Sequence, residues 1–351
     1  MKFKLVIETN LKYCKFYNDK CLNQFLNYIF VSNFSLLILM VVSTKKKETE
    51  SNSLRKNTRK LNLNLCSPRK DKETFTCFTK PSLKKIIKYW NEYYPDDKIT
   101  MESSDTRAKL WSKINKRMAK VCDNEYCWLS QPFISNKEEV SSSRFNVDDT
   151  IDNVSNDYRP RMPSKWLQNK NEWLTTSDIE NVMNQYMRKY DDFVFIGAVP
   201  IDFDKVMTPG ICVVNELCKI KIAKLLKKGI RKIGIIFNLD PHDEPGSHWV
   251  SFFTNLETGE INYFDSYGYK PPNEVIKLVK RLKQQGQENN IRMKYSYNSN
   301  RHQYKNSECG VYSIFFIENM LEGKKFKPFC KRKVPDDIME KFRRKYFVKE
   351  I

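Results

Sequence analysis

Histidine is scarce in this chain: His242, His248 and His302 are all that 351 residues hold. Any imidazole-dependent chemistry therefore has three candidates. Glycine is thin as well, ten in all, and no cluster of them forms the phosphate-cradling loop of nucleotide enzymes. The ten cysteines include no C-x2-C pair and no accompanying histidine pair, which sets zinc aside and leaves no metal or cofactor implied. They also lack the dense spacing of a small secreted domain, and no cleavable signal peptide opens the chain. The expectation is free thiols in a reducing compartment. Acidic charge is in deficit, with 42 Asp and Glu against 62 Lys and Arg, a formal net charge of +20. That balance favours contact with nucleic acid, anionic membrane or acidic protein, although a composition rich in Lys and Asn produces it unaided.

What is present divides into segments. Residues 1–74 are a basic extension, polar and Lys-rich from 43 onward, with an apolar run at 25–42. That run approaches the length of a membrane span, but Asn27, Ser32, Asn33 and Ser35 interrupt it. A buried or partner-binding helix, or an unstructured arm, fits it equally. In 75–133 two helical patterns recur, Leu83, Ile86, Ile87 and Trp90 after Pro81, then Leu110, Trp111, Ile114 and Met118. They predict a small helical domain. Residues 134–160 are polar and read as a linker.

From 161 to 351 the pattern changes to strands interspersed with helices. A helix is predicted over Asp178 to Tyr190, capped by Ser177 with Glu180 three residues on. Runs DFVFIGAVP, KIGIIFNL, HWVSFFTNL, EINYFDS and IRMKYSYN predict strands, and 272–285 an amphipathic helix. GVYSIFFIENML, 310–321, is apolar nearly all round and should be a core helix. The fold class expected is α+β, a mixed sheet packed against helices, with the small helical domain before it.

The last third holds the parts of a cysteine protease. Cys309 stands where the core helix begins, and the unpaired N–H groups there favour thiolate over thiol. His248 lies where the turn DPHDEPGS enters a strand, so the sheet can fix an imidazole at a cleft. His242 falls within that turn and reads as a surface residue, while His302 precedes Gln303. Runs 248–255 and 260–266 are joined by LETG, a hairpin-like link that brings His248 near Asp265, which can orient the ring. Gln303, six residues before Cys309, offers an amide to an oxyanion.

GSHW, FDS and Q-x5-CG, in the order His, Asp, Gln, Cys, resemble the signature of the Ulp1-like cysteine peptidases, the superfamily of the adenovirus and SUMO proteases. Papain-like enzymes have the cysteine first. Within the superfamily, EWLTTSDIENVMNQYMRKYDDFVFIGAVPIDFD resembles the entry to the catalytic domain of the African swine fever virus polyprotein-processing protease and its giant-virus relatives. The resemblance covers 161–330 well and 75–133 loosely. It implies Cys309 as nucleophile, His248 as base, Asp265 as orienter and Gln303 as oxyanion donor. It further implies Trp173 and Trp249 as walls of a narrow tunnel for a Gly-rich strand. The implied function is processing of viral structural polyproteins after Gly-Gly or similar pairs, in virions and host cytoplasmic factories. DNA or capsid would be contacted through the basic N-terminal half. Two departures stand out. Glu308 replaces the usual Asp before the cysteine, and Thr175-Thr176 replaces the Asn-Asp by which SUMO proteases continue WL. The second favours polyprotein processing over removal of a ubiquitin-like modifier. A decayed protease fold that only binds DNA or capsid is the non-enzymatic alternative.

Overall fold

The computed structural model describes residues 65–68, 75–137 and 153–349. The apolar run 25–42, nearly all of the basic extension and the middle of the polar stretch 134–160 lie outside them. Among the described residues no helix is long and apolar enough to cross a membrane.

Five strands form one mixed sheet in the order β1 (Phe193–Pro200), β4 (Lys232–Asn238), β5 (Trp249–Asn255), β6 (Glu260–Phe264), β7 (Lys294–Tyr297). The outer pairs are parallel and the two central pairs antiparallel. A separate two-stranded ribbon, β2 (Val206–Thr208) with β3 (Ile211–Cys212), follows β1. Six helices exceed ten residues among the described ones. They are α1 (Lys80–Tyr93), α2 (Arg107–Met118), α3 (Thr176–Lys189), α4 (Asn273–Glu288), α5 (Cys309–Leu321) and α6 (Asp336–Tyr346).

Alternation along the strands builds two cores. Phe193, Phe195, Ile236 and Phe253 face one side, where Ile179, Val182 and Met183 of α3 and Val311, Ile314 and Ile317 of α5 cover them. Val194, Ile196, Ile233, Ile235 and Phe252 face the other, against Val275, Leu278 and Leu282 of α4. Because α5 lies inside the first core, its apolar side chains are buried almost all round, as its sequence predicts. Each such side chain contributes roughly 1.5–3 kcal/mol. At the β5–β6 turn, Gly259 has φ +67°, and a Cβ there would lie 2.3 Å from the Arg292 carbonyl oxygen. Only glycine closes this turn without displacing β7.

Helices α1 and α2 pack on a third core with Phe78, Trp128, Phe133 and Tyr158. The last part of the polar stretch 134–160 belongs to this packing. Tyr158 is buried, and the Arg159 N–H donates to the Leu65 carbonyl at 2.8 Å.

Two expectations need correction. The cap of α3 is Thr175, not Ser177: its Oγ accepts from the Asp178 N–H, while the Asp178 carboxylate accepts from the Thr175 N–H at 2.8 Å. The box is built two residues earlier, and with Asp rather than Glu, because Asp178 is the residue three along from Thr175. Nor are the thiols all free. Cys66–Cys77, Cys122–Cys127 and Cys212–Cys218 are disulfides, and among the described residues Cys309 and Cys330 stay free. The pairs are 11, 5 and 6 residues apart, so each staples one local loop and none forms a framework visible in overall spacing.

Candidate active site

Cys309 is the first residue of α5 and almost fully buried. Its neighbours on either side explain the placement. Gly310 has no side chain because Leu174 packs there: a Cβ would come 3.0 Å from that of Leu174 and 3.1 Å from its Cδ1. Glu308, on the other side, is buried and held by the Arg343 guanidinium of α6, whose Nε lies 3.0 and 3.1 Å from its two carboxylate oxygens. Burial raises the Glu308 carboxyl, and Arg343 opposes that rise. The longer acid at this position thus ties the cysteine-bearing turn to the C-terminal helix.

Sheet register brings the imidazole to the sulfur. Ser251 pairs with Phe264, and the same register carried onward sets His248 across from Tyr267, diagonal to Asp265. The His248 Nε2 lies 2.8 Å from Asp265 Oδ1, which also accepts from the Tyr267 N–H at 2.8 Å. Cys309 acts on the same ring, and its charge favours the imidazolium. Burial by itself would lower the His248 pKa. Hydrogen bonds to Asp265 and Cys309, with the charges of both, outweigh it and push the imidazole up to about 9.

Gln303 is fully buried. Its side-chain oxygen accepts from the Ser266 hydroxyl at 2.6 Å, which fixes the amide's orientation. The Nε2 finds no hydrogen-bond partner among the described residues. The Ser266 carbonyl receives the backbone N–H groups of His302 and Gln303 at 2.8 and 2.9 Å, so the strand end holds this loop as well. Asp336, the first residue of α6, accepts from the N–H groups of Tyr304 and Lys305 at 2.9 and 3.1 Å.

The two tryptophans differ. Trp249 is buried, and its indole N–H donates to the Leu174 carbonyl at 2.9 Å. Trp173 is 39% exposed, one residue before that anchor. Leu174 thus joins both indole positions to the start of α5. The remaining histidines are placed elsewhere. His242 is exposed, with Nδ1 2.7 Å from Asp202. His302 is buried against Phe264, accepts from the Val334 N–H, and is pushed down by burial.

Four similarities to known proteins bear on this geometry. Residues 225–351 match the family described as the Ulp1 protease family, C-terminal catalytic domain. A putative thiol protease of Acanthamoeba polyphaga mimivirus is 32% identical over 303 residues, covering 81% of this chain and 93% of that protein. The chain belongs to the Ulp1 protease family. As a member of that family it is a cysteine-type peptidase. A SUMO-1 cysteine protease of African swine fever virus is 26% identical over 258 residues, 70% of this chain and 90% of that one. The crystal structure of an African swine fever virus protease shares the fold, with TM-score 0.53 and 21% identity over 82% of this chain and 96% of that one.

Sequence reasoning missed several residues that build this Ulp1-family site. Tyr267 lies with its ring centroid 4.8 Å from that of His248, and its hydroxyl donates to the Lys305 carbonyl at 3.2 Å. Ser266 pins Gln303. Both sit inside the FDSYG run, where a residue adjoining a strand-end acid was the available signal. Asp336 and Arg343 had no signal, since their partners lie more than 30 residues away in sequence.

Proposed function

We propose that this protease cuts viral structural polyprotein precursors after Gly-Gly or a similar small pair during virion maturation. The observation that carries the reading is an imidazole held between a buried carboxylate and a buried sulfur at a helix start. In the reading, the Cys309 sulfur adds to the scissile carbonyl carbon, and the displaced electron pair moves to the carbonyl oxygen. The free Nε2 of Gln303 and the backbone N–H of Cys309 receive that oxyanion. His248, protonated at neutral pH because its pKa is raised to about 9, gives its proton to the leaving amine. A thioester remains. Neutral His248 then takes a proton from water, which hydrolyses the thioester and frees Cys309. Asp265 holds the ring throughout.

Support for Gly-Gly specificity comes from the crowding around Leu174, whose carbonyl accepts from the Trp249 indole, whose side chain packs on Gly310, and which Trp173 precedes. The site of action in this reading is the virion and the host-cytoplasmic factory, with DNA or capsid held by the basic N-terminal half. Digesting Gly-Gly-X peptides and sizing the products by mass spectrometry tests the reading. The result expected is cleavage after the second glycine by wild type and none by Cys309→Ala; equal cutting by both would refute it.

A second reading, cleavage of a ubiquitin-like modifier, is favoured by the name of the African swine fever virus relative. Against it, Thr175 at the WL continuation is engaged in capping α3. A modifier bearing a C-terminal vinyl sulfone would label Cys309 rapidly only under this second reading.

A further inference from the structure

A cavity of about 490 Å³ opens beside the site, and two of its lining residues come from the site itself. Trp249 follows His248 and anchors Leu174, and Thr176 follows that segment by two residues. Met207 of the β2–β3 ribbon, Val213 and Pro245 supply apolar wall, and Met207 is half exposed. Asp240 and Glu244 supply carboxylates. No Lys or Arg lines it, in a chain with 62 of them against 42 acids. The Asp240 carboxylate accepts from the Ser247 hydroxyl at 2.6 Å, while that of Glu244, exposed on the loop, has no ion-pair or hydrogen-bond partner among the described residues.

We propose that this cavity is a substrate subsite that selects a Lys or Arg side chain a few residues upstream of the cleaved bond. The inference rests on the protease reading above and adds to it a substrate class. A chain whose two glycines pass Leu174 and Trp249 continues upstream along the wall that Trp249 shares with the cavity. Extended residues advance about 3.3 Å each, so side chains three to five residues before the cut reach it. A long aliphatic stem lies against Met207, Val213 and Pro245, and its cationic head meets Glu244 and Asp240. An acidic side chain there faces Asp240 and Glu244, and the one imidazole of the lining, that of His242, is already paired with Asp202. The local preference is opposite to that of the whole molecule, whose charge of +20 draws acidic peptides.

That opposition makes the test sharp. Three fluorescent peptides share a Gly-Gly-Ser cleavage sequence and carry Lys, Ala or Glu at the third to fifth positions before the cut. Binding is read by anisotropy on Cys309→Ala, and cleavage by product formation with wild type. The Lys peptide should bind and be cut about fivefold better than the Glu peptide, and Glu244→Lys should abolish that order. Equal or reversed preference in wild type, or a preference that survives Glu244→Lys, overturns the subsite while leaving the protease reading standing. Preferential binding of the Lys peptide with no cleavage of any peptide overturns the protease reading and leaves the subsite.

Discussion

Two carboxylates withdrawn from water show how differently the helical region and the sheet region of this molecule use a buried acid. Glu125, beside α2, is caged by neutral donors: the Thr76 hydroxyl at 2.9 Å, the Cys77 N–H, the Trp111 indole and the Tyr158 phenol. Burial raises its pKa, and the four hydrogen bonds only partly offset that. Asp265 is buried as deeply but faces an imidazole. The first arrangement offers its carboxyl group only neutral donors and knots Cys77, Trp111 and Tyr158 into one core. The second keeps a proton on a ring beside a sulfur. Burial alone does not tell these two carboxylates apart. The partner decides.

The comparison breaks most completely at the sulfur. Cys309→Ala should lower peptide cleavage by about 10⁴-fold or more while leaving the melting temperature within a few degrees, as activity assays and thermal unfolding would show. Next comes the acid that serves the ring. Asp265→Asn should cost about 10²- to 10⁴-fold in kcat/KM at pH 7.5. It should also move the alkaline limb of the pH profile from about 9 towards the ordinary histidine value of 6.5. The sign follows from the raised pKa: in the folded enzyme the imidazolium persists through neutral pH and is lost as pH rises through about 9.

Glu125 should show the reverse pattern. Glu125→Ala should cost about 2–3 kcal/mol in urea unfolding, because buried donors lose their acceptor, with cleavage per folded molecule unchanged. Its pKa is raised in the fold, so the protonated acid's contribution is present below the ordinary 4.5 and is lost as pH rises through the raised value. Stability of Glu125→Gln should not fall across that window, which pH-dependent urea titration would reveal. The smallest effect belongs to Tyr267. Tyr267→Ala should reduce kcat about tenfold and shift the His248 limb, whereas Tyr267→Phe, which keeps the ring over the imidazole, should restore the pH profile.

Much of the sheet was legible because strand alternation is local: Phe193 and Val194 declare opposite faces from adjacent positions. The His248–Asp265 meeting was legible for the same reason, since one short hairpin determines it. Cys309 was readable as a helix start through the apolar run behind it. The β2–β3 ribbon was not, being three and two residues long and without periodicity. Helix α6 went unread, and with it the bonds from Asp336 and Arg343 that brace the loop before Cys309. These pairings depend on the finished fold, and a charged residue in sequence looks the same whether solvated or buried against a distant partner. The disulfides escaped for a related reason: two cysteines five or six residues apart pair only when the intervening turn lets them.

The most direct trial of the central claim is site-mapped labelling with a Gly-Gly peptide carrying a vinyl sulfone in place of the scissile bond. After digestion, mass spectrometry should find the adduct on Cys309 and not on Cys330, the other free thiol among the described residues, which burial pushes up to about 12. His248→Ala should slow the labelling at least about a hundredfold. An adduct on Cys330, or labelling of Cys309 at the same rate without His248, would contradict the account.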